Sequence, residues 1–191
     1  MKILLTFVMI GAAIVSYAGD KPTVAFVNVG GAIDSAIFAK NANDYVRGIM
    51  PARIKICNAE NVDILKIANP ATPDDQFGKS TKLFVYFVND GKLPPQLSAP
   101  GRWAIVNVRN LEKDADAVKF KSRIQKMMLK GLAFACGFGA NQDIGRCVMG
   151  AGSFDTLKGI DGTSASYSPF VAFPMMDFLS ARNLLEHPTV E

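Results

Sequence analysis

Lys126–Met149 reads KMMLKGLAFACGFGANQDIGRCVM, an apolar helical run that meets a glycine, passes through a loop and closes on Cys147-Val148-Met149. Ile124, Met127, Met128, Gly131 and Ala135 recur at the spacing of one helix face, and Lys119, Lys121, Arg123 and Lys126 supply charge elsewhere. This pattern predicts a helix over 114–135 that stops at Gly137, where a residue without a side chain can take the left-handed turn. Met127, Met128 and Met149 read as packing residues.

Upstream, the hydrophobic pattern changes from helical to strand-like. Trp103–Val108, WAIVNV, reads as a strand, and Leu83–Val88, LFVYFV, is apolar throughout, as expected of a central strand covered on both faces. Lys21–Val29 reads as a first buried strand ending at Gly30-Gly31. Asp34 is placed to cap a helix that runs to Ile49 and is closed by Met50-Pro51, and Arg53–Cys57 alternates like a further strand. Residues 62–67 read as a short strand or helical turn and 69–82 as a surface loop. Pro94, Pro95 and Pro100 restrict the intervening stretch to an irregular edge. The expectation is an α/β domain, a mixed twisted sheet backed by helices, with a loop-rich C-terminal subdomain and a short final helix over 178–186.

The first eighteen residues, MKILLTFVMIGAAIVSYA, combine a lysine, an apolar run and small residues before Ala18. They read as a secretory signal peptide cleaved after Ala18, leaving 19–191 as one domain exported to the periplasm or beyond, with no membrane attachment after cleavage. Net charge is +4 without a basic block, which speaks against nucleic acid as a partner. Three cysteines, Cys57, Cys136 and Cys147, allow one bridge and one thiol without naming the pair, and no C-x-x-C is present. The glycine pair lacks the rest of a dinucleotide loop, and neither a nucleophile elbow nor a pair of catalytic carboxylates stands out. His187, the one histidine, lies in the tail before Pro188 and reads as an exposed residue.

The segment after Lys126 resembles the archaemetzincin branch of the metzincin zinc peptidases, whose pattern is H-E-x-x-H-x-x-G-x-x-H-C, then four residues, then C-x-M. With Gly137 on the motif glycine, the resemblance puts Lys130, Phe134 and Ala140 at the three histidine positions and Gly131 at the general-base glutamate. Cys147-Val148-Met149 falls on the methionine turn after a gap one residue longer than the family's, and Asn141 stands at the family's cysteine. The order of strands and helix matches too. A metzincin-like fold is therefore implied, with the zinc chemistry gone: catalytic zinc needs three protein ligands and an open position for water, and these positions offer no imidazole, carboxylate or thiolate. No metal or other cofactor is expected.

The resemblance, taken with the leader read above, implies a non-catalytic, exported peptidase-like protein that binds an unidentified protein or peptide. Peptide substrates of active metzincins lie along an exposed sheet edge, where the three prolines here each remove a donor. Lys130 and Phe134, one helical turn apart, either fill the vacated cleft or divide, Lys130 reaching solvent and Phe134 joining the core. Arg102 and Trp103 form a candidate binding edge, unless Trp103 caps the core from its strand end. Two further readings are an enzyme of metal-independent chemistry using Lys130 or a cysteine, and a small-molecule or glycan binder with a pocket lined by Phe134 and Trp103.

Overall fold

β-Branched and aromatic residues mark four of the described strands, β1 (Thr23–Val29), β2 (Ile54–Ala59), β3 (Thr81–Val88) and β5 (Trp103–Asn107), while β4 (Gln96–Ala99) has none. The structure, a computed structural model, describes residues 21–60, 80–140, 147–150 and 156–186. The leader over 1–18, the 62–67 segment, most of the 69–82 loop, Asn141 and His187 lie outside these residues. The strand order is β2-β1-β3-β5-β4. β2, β1, β3 and β5 run parallel, and β4 returns antiparallel along β5 as the edge, so the sheet is mixed as the sequence implied. β3 lies at its centre, and its apolar residues enter both faces.

The helices stand where cap chemistry starts and stops them. Asp34 accepts from the backbone N–H groups of Ala36 and Ile37 and opens α1 (Ser35–Lys40), which continues through a π-helical turn (Asn41–Val46) into α2 (Arg47–Ile49). Asp116 caps α3 (Ala117–Cys136) by accepting from Lys119 N–H, and Gly137 ends it at φ 97°. Beyond Gly137 the structure is more regular than its glycine content suggested. Among the described residues two helices form there, α4 (Leu157–Gly162) and α5 (Pro169–Ala181). The final helix thus begins nine residues before the 178–186 expected. Pro169 and Pro174 obscured it in the sequence, although proline suits a first helical turn.

Two apolar clusters share the sheet. Val24, Phe26, Leu83, Val85, Phe87, Ala104 and Val106 face α3 and the α1–α2 segment and join the main core. Ala25, Val27, Tyr86, Val88 and Ile105 form a second cluster on the other face. Gly131 lets α3 settle onto the first face. A Cβ built there would lie 2.6 Å from a Val85 methyl and 2.8 Å from a Val106 methyl, closer than carbon atoms approach, so any side chain would force the helix off the sheet. Among the described residues no helix is long and apolar enough to cross a membrane.

Candidate functional site

The C-terminal half of α3 carries the positions that the sequence singles out. Gly101 N–H donates to Ala135 O at 2.9 Å, and Gly137 sits against Pro100, which brings this helix end to the β4–β5 turn at the N-terminal end of β5. Lys130 is 4% exposed, so it does not reach solvent, contrary to one reading above. Its ammonium lies 5.6 Å from the centroid of the Phe134 ring, a cation–π contact along one helical turn. Phe134 packs, half-buried, on the main core, and Ala140 is exposed. Gly131 points into the sheet, not into a cleft beside them.

The C-x-M segment is buried throughout. Gly150 N–H closes a turn on Cys147 O at 3.0 Å, Met149 N–H donates to Cys147 Sγ at 3.4 Å, and Val148 N–H donates to Ser166 O at 3.1 Å. Cys147, Val148 and Met149 all belong to the main core. Tyr167 braces this turn against the helix by donating to Leu129 O. Burial, with the Cys136 and Cys147 thiols adding to it, holds its hydroxyl well above the ordinary tyrosine range. The same burial pushes the Cys136 thiol up to about 12, with the nearby Arg182 opposing it, so this sulfur stays protonated at neutral pH and is a poor nucleophile.

All three cysteines are free thiols, against the expectation of one bridge. Placement keeps Cys57, packed against the second cluster, from either of the others, which are in the main core on the opposite face; Cys136 and Cys147 share that core as separate thiols. Thiol titration of the protein is expected to count one reactive group, Cys57, in the folded state and three in denaturant. A count of one in denaturant would demonstrate a bridge.

Trp103 caps the second cluster from the start of β5, and exposed Arg102 precedes it in the turn. Phe134 lies against the other face, so the sheet separates the two rings. The pocket they were expected to share does not form.

A buried polar network escaped the sequence reading. Arg123 and Lys126, read as outward charges on α3, are 1% and 5% exposed. Arg123 makes a bidentate pair with Asp161 of α4 at 2.7 and 2.8 Å and donates to Leu111 O at 2.6 Å and Lys113 O at 2.7 Å. Lys126 donates to Ile160 O at 2.9 Å, and burial lowers its pKa. The signal was present: Arg123, Lys126 and Lys130 follow i, i+3, i+7 spacing, a cationic stripe within an otherwise apolar helix.

The hydrogen bond from Arg123 holds the Asp161 carboxyl at about 2, helped by Lys119 and opposed by partial burial. Its folded pKa is below the ordinary 3.8, so its contribution to stability is complete above about pH 4 and is lost as pH falls towards 2. The depression corresponds to about 2 kcal/mol. Urea unfolding at pH 5 and pH 2 is expected to show that loss, and Asp161→Asn is expected to remove this part of the difference.

Compared with solved structures, the chain is similar to archaemetzincin from Methanopyrus kandleri, at TM-score 0.64 and 16% identity, over 85% of this chain and 98% of that one. The fold is that of the archaemetzincins. Archaemetzincin from Archaeoglobus fulgidus, solved in complex with malonate, matches at TM-score 0.58 and 16% identity, over 79% of this chain and 99% of that one. No family model and no curated protein matches the chain. The archaemetzincin fold bears out the recognition made from Gly137, the C-x-M and the order of elements. Among the described residues no group of three His, Cys, Asp or Glu side chains converges as a metal site would require. At the helix positions in question, a buried ammonium, a phenyl ring and a glycine without room for a side chain do not fit zinc.

Proposed function

We propose that this is an exported, non-catalytic protein that keeps the archaemetzincin fold and works by binding. The observation that carries the reading is Gly131. At the position where the resemblance places the general base, helix and sheet are packed so closely that no carboxylate has room, while Lys130 offers an ammonium in place of the first ligand. Water activation needs a metal or a base, and this helix supplies neither. Metal-independent chemistry finds little support: the Cys136 thiol is held protonated, and Lys130 is buried against an aromatic ring.

The partner class is narrowed by the sheet edge. Leu97 of β4 pairs with Ile105, and Asn107 N–H donates to Pro95 O, which leaves Gln96 and Ser98 with their backbone groups turned away from β5. Pro94 and Pro100 hold the next outward positions and donate nothing. The prolines therefore do not interrupt β4 but end its outward ladder on both sides, which supports little strand addition. On the C-terminal side α5 exposes Phe170 and Phe173, 83% and 66% accessible, the kind of apolar surface that supports protein contact.

The test is a broad peptide-library digestion by the mature chain with zinc supplied, scored by mass spectrometry. No cleavage above a heat-treated control is expected. Cleavage abolished by Lys130→Ala would overturn the non-catalytic reading. In the same preparation the first residue from the exported fraction is expected to be Gly19, and an intact Met1 there would refute export by a cleaved leader.

A further inference from the structure

A cavity of about 410 Å³ opens at the opposite end of α3 from the helix end just described. It lies where the chain reverses its progress across the sheet. β1 leads to β2 on one side, and the chain then crosses to β3 and β5 on the other, so a crevice forms outside the carboxyl ends of β1 and β3. Open α/β sheets place ligands at this kind of switch point. Ile33, after β1, forms one wall, Leu111, after β5, a second, and Phe120 and Ile124 of α3 the floor.

The rim is charged and held in place. Arg109 donates from Nη1 to Gly91 O at 2.9 Å, which anchors the guanidinium across the β3–β4 turn. A guanidinium has five donors, and this bond uses one of them. Asn107 fixes the same turn, its side-chain amide donating to Asp90 O at 2.7 Å and Leu93 O at 3.0 Å and its oxygen accepting from Arg109 N–H at 3.2 Å. Below the rim, the Arg123 bonds to Leu111 O and Lys113 O tie the loop to the helix. Asn110 sits at φ 65° and Asp114 at φ 53°, left-handed conformations that a side-chain-bearing residue adopts at a cost and that the anchoring sustains. A loop held on three sides, with two unfavourable backbone conformations, is a shaped surface and not a slack connection.

We propose that this crevice is a binding site for a small organic monocarboxylate, its apolar body on the partly exposed Ala32 and Phe120 and its carboxylate on Arg109. The volume falls in the range of small-molecule sites. Arg109 and Lys113 give the rim two positive charges and Glu112 one negative, a net single positive charge that matches a monoanion better than a phosphate ester. The planar fork of Arg109 suits a carboxylate in two-point contact. Nothing in the site depends on zinc or on the β4 edge, so it is independent of the reading above.

The experiment is an NMR titration of the isotopically labelled mature protein with three probes: phenylacetate, 2-phenylethanol and phenyl phosphate. Phenylacetate is expected to shift the amides of Ile33, Asn89, Ile124 and residues 109–113 with millimolar saturation, and 2-phenylethanol to leave them in place. Arg109→Gln, a change at an exposed residue, is expected to weaken phenylacetate by about tenfold or more, with spectral changes in the free protein confined to the Gly91 turn and the neighbours of position 109. Lys113→Gln is expected to weaken it less. Absent or scattered shifts, equal affinity in Arg109→Gln, or tighter binding of 2-phenylethanol or phenyl phosphate would each overturn the assignment.

Discussion

Asp161→Ala is expected to lower the stability of the folded chain by about 3–5 kcal/mol at neutral pH. Arg123 is 1% exposed, and a guanidinium keeps its charge when its partner is removed. The two backbone carbonyls it also contacts offset only part of the cost of burying an unpaired guanidinium. Lys119, 3.1 Å from the same carboxylate, loses a surface partner worth far less. For a domain of this length the change corresponds to a fall of roughly 10 °C in melting temperature. Thermal unfolding of Asp161→Ala, Arg123→Met and the double variant measures it. The double variant is expected to recover part of the loss, because no unpaired charge then remains; a melting temperature for Asp161→Ala within about 2 °C of the parent would contradict the role given to this pair.

Gly131→Glu, which restores the carboxylate of a zinc peptidase, is expected to cost about 5 kcal/mol or more and to yield little folded protein. Glycine to alanine separates the steric part. In an ordinary helix interior that exchange gains about 1 kcal/mol. Here the new methyl would meet Val85 and Val106 at 2.6 and 2.8 Å. Both are β-branched residues on the neighbouring inner strands β3 and β5, stiff at their first torsion and unable to swing aside. A net loss of about 1–2 kcal/mol is expected for Gly131→Ala, the overpacking outweighing the helix gain. Urea unfolding of the two variants gives both numbers, and a Gly131→Ala protein more stable than the parent would show that α3 does not need the close approach.

These two sites show what the sequence disclosed and what it withheld. β1, β3 and β5 were legible as mostly apolar or β-branched runs, β2 by its alternation, and α3 because its apolar residues recur with helical period and stop at a glycine. The C-terminal helices were not, since their glycines and prolines carry the same signal whether they cap helices or fill loops. At the candidate site, Gly137 and the Cys147-Val148-Met149 turn were readable as a frame. The inward course of Lys126 and Lys130 was not, because a lysine on a helix is read as a surface residue unless a partner is known. Asp161 lies 38 residues from Arg123, and no local pattern pairs them. The cavity beside Arg109 is invisible for the same reason: three separate connections after β1, β3 and β5 build it, and only the sheet order brings them together.

Calorimetric titration of zinc into metal-stripped protein of residues 19–191 is the most direct measurement of the central claim, that α3 is a packing element and does not grip a metal. The expected result is no saturable binding tighter than about 10 µM. One equivalent of zinc bound at submicromolar affinity, and lost in Phe134→Ala or Lys130→Ala, would contradict it.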